Sequence, residues 1–286
     1  MSMKPPRVVC RQITAEDFDG VVNLLAVGFP KQPRAVWQRG LKRLAVRSVP
    51  DGFPRFGYVL HDGTRPVGVL LLIVTALADG TEIRCNVSSW YVEPVFRNFA
   101  SLLASRALSH KTATYLNASP APNTLPLLEA QGYQRYCRGR VLAVAALQWR
   151  GGAARVQAAT DDVIKSAQLP AAEARLLRDH REFGCLSLIV TLHGQTLPFV
   201  FLRRSGPRGL SHGLLVWCRA VPDVVQCAGA LGRYLLRRGM PFLTVDADGP
   251  VTGLMGRFVD APKFFKGPDK PRPGDLAYTE YPVFGI

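Results

Sequence analysis

Asn86-Val87-Ser88-Ser89-Trp90-Tyr91-Val92-Glu93-Pro94-Val95-Phe96-Arg97-Asn98-Phe99-Ala100-Ser101-Leu102-Leu103 divides into three pieces. Residues 87–92 are rich in β-branched and aromatic side chains, which suit a strand. Pro94 lacks the amide a ladder needs and ends it. A short turn carrying Arg97 follows, and then Leu102, Leu103, Arg106, Ala107 and Leu108 recur at helical spacing. A strand that turns into a helix aims its last amides and the first N–H groups of the helix at one point, and that point suits an anion such as a pyrophosphate.

The flanking segments alternate in the same way. Residues 8–13 read as a strand, and Thr14-Ala15-Glu16-Asp17 is a capping-box start for a helix that points Phe18, Val21, Val22, Leu24 and Leu25 inward. A second helix opens after Pro33, with Val36, Trp37, Leu41, Leu44 and Ala45. Two β-rich runs, 56–60 and 67–74, are joined by His61-Asp62-Gly63-Thr64-Arg65, a hairpin signal. Residues 113–117 read as a fifth strand, 122–130 as a short helix, and 134–147 as a final strand or strand pair.

Val92-x-Pro94-x-x-Arg97 running into a helix resembles the acyl-CoA-binding turn of the GNAT N-acyltransferase superfamily, whose motif runs Arg/Gln-x-x-Gly-x-Gly/Ala. Here Ala100 and Leu102 stand at the two glycine positions. Leu127-Leu128-Glu129-Ala130-Gln131-Gly132-Tyr133 is similar to the closing segment of the family, with Leu128 where many relatives carry a tyrosine that protonates the departing thiolate. The resemblance covers about residues 8–147. It implies a mixed sheet whose fourth and fifth strands splay apart around a pantetheine arm. It also implies acetyl-CoA or another acyl-CoA as acyl donor and an amine as acceptor. Backbone N–H groups at Tyr91 and Val92 would polarise the thioester carbonyl. Arg97, Asn98, Phe99, Ala100 and Ser101 would hold the phosphates. Side chains alternate along a strand, so the inner face carries either Asn86, Ser88 and Trp90 or Val87, Ser89 and Tyr91. Neither set holds a carboxylate, which leaves Asn86 and Ser88 to orient a water. Ser119 or Asn123 would replace the missing tyrosine.

After Trp149-Arg150-Gly151-Gly152 the pattern repeats, which places a boundary at 148/149 and gives domains 1–148 and 149–286. Helical spacing over 171–182 precedes a hairpin of 185–192 and 196–202, a strand at 212–219 with Trp217 placed like Trp90, a helix at 224–238 and a strand at 241–246. The fold class expected is therefore α/β (α+β), two GNAT-like halves, each a mixed sheet flanked by helices. No phosphate-turn glycine or arginine follows Pro222, so the first half reads as the better acyl-CoA binder. Residues 264–275 read as a charged, Pro-rich loop, with strand character returning at 276–281.

Composition bounds the partners. The 286 residues carry a net charge of +15, spread along the chain rather than clustered with aromatics, so nucleic acid is a minority reading. Residues 1–7 read as a loose tail without the apolar core of a signal peptide, and no apolar run is long enough for a membrane helix. The six cysteines form no C-x-x-C pair and read as small core residues of a cytoplasmic protein; neither they nor the five histidines show metal-ligand spacing. Three functions fit: an acyl-CoA-dependent N-acyltransferase, a non-catalytic binding protein on the same fold, and an aminoacyl-tRNA-dependent transferase.

Overall fold

The computed structural model describes residues 8–77, 80, 82–148, 153–206 and 209–286; the expected tail at 1–7 and the boundary residues 149–152 lie outside them. The chain divides into two compact units. One comprises residues 1–118, 266–269 and 286, the other 119–265 and 270–285. The 148/149 position therefore falls inside the second unit.

The first unit is a sheet of β1 (Val9–Gln12), β2 (Gly57–His61), β3 (Pro66–Ala76), β4 (Ile83–Val92) and β5 (Thr114–Asn117), in that order. The first four strands pair antiparallel, and β4 pairs parallel with β5. Between β1 and β2 run α1 (Phe18–Gly28) and α2 (Arg34–Val46), which bury Val21, Val22, Leu24, Leu25, Trp37, Leu41 and Leu44. The capping segment forms as its spacing predicts. The Asp17 carboxylate accepts the Thr14 N–H at 2.9 Å and a forked pair of bonds from Arg11 at 2.6 and 2.8 Å. Burial pushes the Asp17 carboxyl up, but these hydrogen bonds and the Arg11 charge outweigh it and hold the group below its usual value. The stability it supplies is therefore present above about pH 4 and is lost as pH falls through its lower folded-state value. Asp17→Ala is expected to cost about 1 kcal/mol by chemical denaturation at pH 7, and less at pH 3.

The hairpin turn is closed by Asp62, whose carboxylate accepts the Thr64 and Arg65 amides at 2.8 and 2.9 Å. A 3-10 turn, Pro94–Phe99, leads from β4 into α3 (Ala100–Ala107), which buries Leu103, Ala104 and Ala107. The segment after α3 packs on the face of the sheet that holds Tyr58, whose hydroxyl bonds Ser109.

The second unit contains α4 (Leu125–Ala130), β6 (Gln134–Ala143), β7 (Arg155–Ala158), α5 (Asp161–Ser166), α6 (Ala171–Glu182), β8 (Leu186–Leu192), β9 (Gln195–Ser205), β10 (Ser211–Cys218), α7 (Val221–Leu236), β11 (Phe242–Ala247), β12 (Gly256–Lys266, of which Lys266 falls in the first unit) and α8 (Glu280–Phe284). Its strands run in the order β12-β6-β11-β10-β9-β8-β7. From β7 to β11 the order of elements copies that from β1 to β5: strand, two helices, hairpin, strand, helix, parallel strand. Helix α7 buries Val224, Cys227, Ala228, Leu231 and Leu235 in a core with Val141, Val245, Phe199 and Phe201.

Residues 134–147, expected as a strand or strand pair, give one strand, β6, and residues 145–147 close into a 3-10 turn that receives Gly232 of α7. Two other expectations change. Phe264 and Phe265 are not loop: they end β12, paired with Arg135 and Gln134. Residues 276–281 are not a strand. A single bridge, Trp217 to Asp275, precedes a tight bend held by the Thr279 hydroxyl on the Leu276 carbonyl at 2.7 Å, and then α8.

Candidate functional site

β4 and β5 are paired only through Arg84, Cys85 and Asn86, opposite Thr114, Tyr115 and Leu116. Beyond Asn86, β4 continues for six residues to Val92 with β3 on one edge. Among the described residues no backbone hydrogen bond reaches the other edge of that stretch. The two parallel strands thus begin together and separate, leaving a backbone edge of the kind that an extended ligand can join.

The strand is also bulged. Ser88 faces Leu71 and Tyr91 faces Val69, so Ser89 and Trp90 together oppose the single residue between them. Ser89 takes φ 53°, uncommon for a residue with a side chain. The extra residue breaks the expected alternation. Asn86, Ser88 and Tyr91 share one face, with Ile73, Leu71 and Val69 as their partners, and Trp90 does not join Asn86 and Ser88. Tyr91 packs against Gly28 and Phe29 at the end of α1; a Cβ on Gly28 would lie 2.4 Å from its ring, and the Phe29 ring is 6.4 Å away. Asn86 is 1% exposed and Ser88 5%, and the Ser88 and Ser89 hydroxyls are 3.0 Å apart. Val92 lies on the opposite face and is buried.

The turn itself is more helical than the motif suggests. The Phe96 N–H bonds the Glu93 carbonyl, and the Ala100 N–H bonds that of Arg97. With alanine rather than glycine at 100 the chain stays in the right-handed region, φ −60° and ψ −37°. Arg97, Asn98 and Ser101 are exposed; Phe99 and Ala100 are half-buried. No acidic residue lies in the turn or in the first turn of α3. Asn123 sits in the 3-10 turn Pro122–Thr124, in the second unit, as do Ser119 and the buried Leu128. The Ser119 hydroxyl donates to Glu280 at 2.5 Å.

The second unit repeats the splay and the bulge. β10 and β11 pair only over His212, Gly213 and Leu214, and the register slips between Leu215 and Trp217. The bulge puts Trp217 on the face of His212 and Leu214, so its counterpart is Tyr91 rather than Trp90. Here, however, the open edge is occupied. The Cys218 N–H donates to Gly274 at 3.1 Å and the Leu276 N–H to Val216 at 2.7 Å, on the edge of β10 away from β9. Residues 274–276 thus fill the fork. The segment beyond is locked to α6: the Tyr278 N–H donates to His180 Nε2 at 3.2 Å, and its hydroxyl to Asp179 at 2.6 Å. The N-terminus of α7 is closed as well, because Asp223 accepts the Ala220 N–H at 3.1 Å and puts a negative charge where a phosphate would sit. The sequence hid the strap, since the contact joins residues nearly sixty positions apart without a shared motif.

Burial pushes Cys85 and Cys218 up to about 12, so both stay protonated at neutral pH. No helix among the described residues is long and apolar enough to cross a membrane. Among those residues no group of three His, Cys, Asp or Glu is placed to hold a metal ion.

Neither a protein-family model nor a curated protein matches the sequence. Solved structures do match the fold. A GCN5-related N-acetyltransferase from Anabaena variabilis aligns with TM-score 0.61 and 12% identity over 91% of this chain and 72% of its own. One from Kribbella flavida aligns with TM-score 0.57 and 14% identity, over 91% and 71%. A candidate acetyltransferase from Pyrococcus horikoshii aligns with TM-score 0.55 and 13% identity, over 95% and 93%. With the splayed, bulged fourth strand and the helix that follows it, these likenesses establish the architecture: the chain has the GCN5-related N-acetyltransferase (GNAT) fold.

Proposed function

We propose that the first half binds an acyl-CoA along the open edge of β4 and transfers its acyl group to an amine. The observation that carries this reading is the contrast between the two forks. The fork of β4 and β5 has an unpaired backbone edge and a turn without acid, whereas the fork of β10 and β11 is filled by residues 274–276. In this reading the pantetheine lies along residues 87–92, and the thioester carbonyl takes a hydrogen bond from the backbone near Tyr91 and Val92. The pyrophosphate rests at Arg97, Asn98, Phe99, Ala100 and Ser101, where the guanidinium supplies the positive charge that the internally bonded amides cannot. The amine approaches over the face of Asn86, Ser88 and Tyr91. Its nitrogen attacks the thioester carbon, the C–S bond breaks with CoA leaving as its thiolate, and the amine proton passes through a water held by Asn86 and Ser88 to solvent, from which the thiolate is protonated, because neither side chain can keep a proton itself.

Calorimetric titration with acetyl-CoA and longer acyl-CoAs tests this. Binding is expected in the wild type and is expected to weaken about tenfold or more in Arg97→Glu, which sets a carboxylate against the phosphates. No binding at millimolar ligand, or binding indifferent to Arg97→Glu, rejects the assignment. The buried Leu128 favours a second reading, in which the fold binds acyl-CoA without turning it over. Measuring free thiol release in the presence of a panel of amines separates the two.

A further inference from the structure

One face of the second unit's sheet gathers more basic than acidic side chains. Arg204 on β9 stands directly opposite His212 on β10, and Arg140 on β6 stands opposite Asp246 on β11. Residues paired across strands share a face, so Arg140, Asp246, His212 and Arg204 all project from the side opposite α7. Tyr281 of α8 ties them together: Arg140 hydrogen-bonds its side chain, and the Arg204 guanidinium lies 5.6 Å from its ring centre. Asp246 is taken by Lys263 at 2.8 Å, both residues being fully buried. The remaining carboxylate, Glu280, is buried and takes the Ser119 hydroxyl.

The cluster therefore holds three cations, Arg140, Arg204 and Lys263, against two carboxylates. Neither arginine forms a salt bridge among the described residues. Arg140 Nε and Arg204 Nη1 are shielded from water and meet no acceptor among the described residues. A buried guanidinium N–H without an acceptor costs free energy and calls for a missing partner, an ion or a ligand atom. Burial lowers the affinity of Arg204 and of His212 for their protons, and neighbouring arginine charges act in the same direction; on Arg204 the nearby Tyr281 and Glu280 act the other way without offsetting it. A negative charge would relieve all of these at once.

We infer that Arg140, Arg204, His212 and Tyr281 form a binding site for a small oxyanion, a carboxylate or phosphate group carrying one negative charge, separate from the acyl-CoA fork of the first half. The guanidinium N–H groups would donate in the plane of the anion, and the Tyr281 hydroxyl and a His212 ring N–H would complete its shell.

The test is a titration of the full-length protein with inorganic phosphate and, separately, acetate, at constant ionic strength in chloride. Heat and the ring resonances of His212 are followed together. The expected result is one saturable site for at least one probe, with the His212 signals moving along the same isotherm. Affinity should fall at least about tenfold in Arg204→Met and in Arg204→Lys, which keeps the charge but loses the fork, and should stay within about twofold in Arg97→Glu. Preferential saturation by phosphate or by acetate identifies the headgroup. The inference fails if neither probe moves the His212 signals up to about 20 mM. It also fails if the heat survives both Arg204 variants, or disappears in Arg97→Glu, which would place the anion at the turn of the first half. The His212 reading needs no variant, so poor folding of Arg204→Met leaves the outcome decided.

Discussion

Lys263→Met is expected to cost about 3–5 kcal/mol of stability, read as a lowered denaturation midpoint at unchanged slope. Lys263 projects from β12 into the second unit with no exposed surface, and its Nζ meets Asp246 Oδ1 at 2.8 Å. Its second contact is the Ala261 carbonyl at 3.4 Å. Asp246 Oδ2 has no hydrogen-bond partner among the described residues, so the lysine is the main compensation for this carboxylate. Taking two charges out of water costs several kcal/mol per ion, and their attraction repays that only while both are present. Methionine keeps much of the stem volume but leaves the aspartate stranded beside buried Cys137. The double variant Lys263→Met/Asp246→Leu should recover most of the loss, because two apolar groups remove the stranded charge. A single variant costing less than about 1 kcal/mol would mean that water reaches the pair.

Leu276→Ala is expected to cost about 2–4 kcal/mol, the usual range for deleting a buried leucine side chain. Leu276 is 1% exposed and anchors the strap to β10, its N–H on Val216 and its carbonyl accepting the Thr279 hydroxyl. Hydrogen exchange tells more than the midpoint. The Cys218 amide, bonded to Gly274, should exchange markedly faster in the variant, while amides of the β2–β3 hairpin in the other unit keep their protection. Unchanged protection at Cys218 would show that residues 274–276 are held by something other than Leu276. The filled second fork would then need a different explanation.

Several features of this protein could be read directly from residues. The strands and helices of the first unit follow from apolar period and punctuation: Asp17 bonds back to Thr14 in the turn that opens α1, Asp62 closes the hairpin, and Pro94 ends β4. The site face was read only in part. Asn86 and Ser88 were assigned to one face by simple alternation, and that holds. The same rule gave them Trp90, and the bulge replaced it with Tyr91. Neither Ser89 nor Trp90 announces a bulge, since a glycine would have been the usual sign of a positive φ. β12 escaped notice because Asp260, Pro262 and Lys263 interrupt its alternation. Their reasons are tertiary: Lys263 is charged because Asp246 waits for it, and the register slips beside it.

The sequence by itself determined the order of elements, their local boundaries, and the strand-turn-helix corner at residues 86–103, because propensity, capping and turn chemistry act over a few residues. It also pointed to the first half as the better candidate for a phosphate, since no phosphate-turn glycine or arginine follows Pro222. Only the tertiary structure decided which fork is open. Residues 274–276 reach the edge of β10 by two backbone hydrogen bonds, which any residue other than proline can make and which leave no imprint on composition. The arginine cluster was likewise set by pairing across β6, β11, β10 and β9, where contacts between distant positions decide which charges meet.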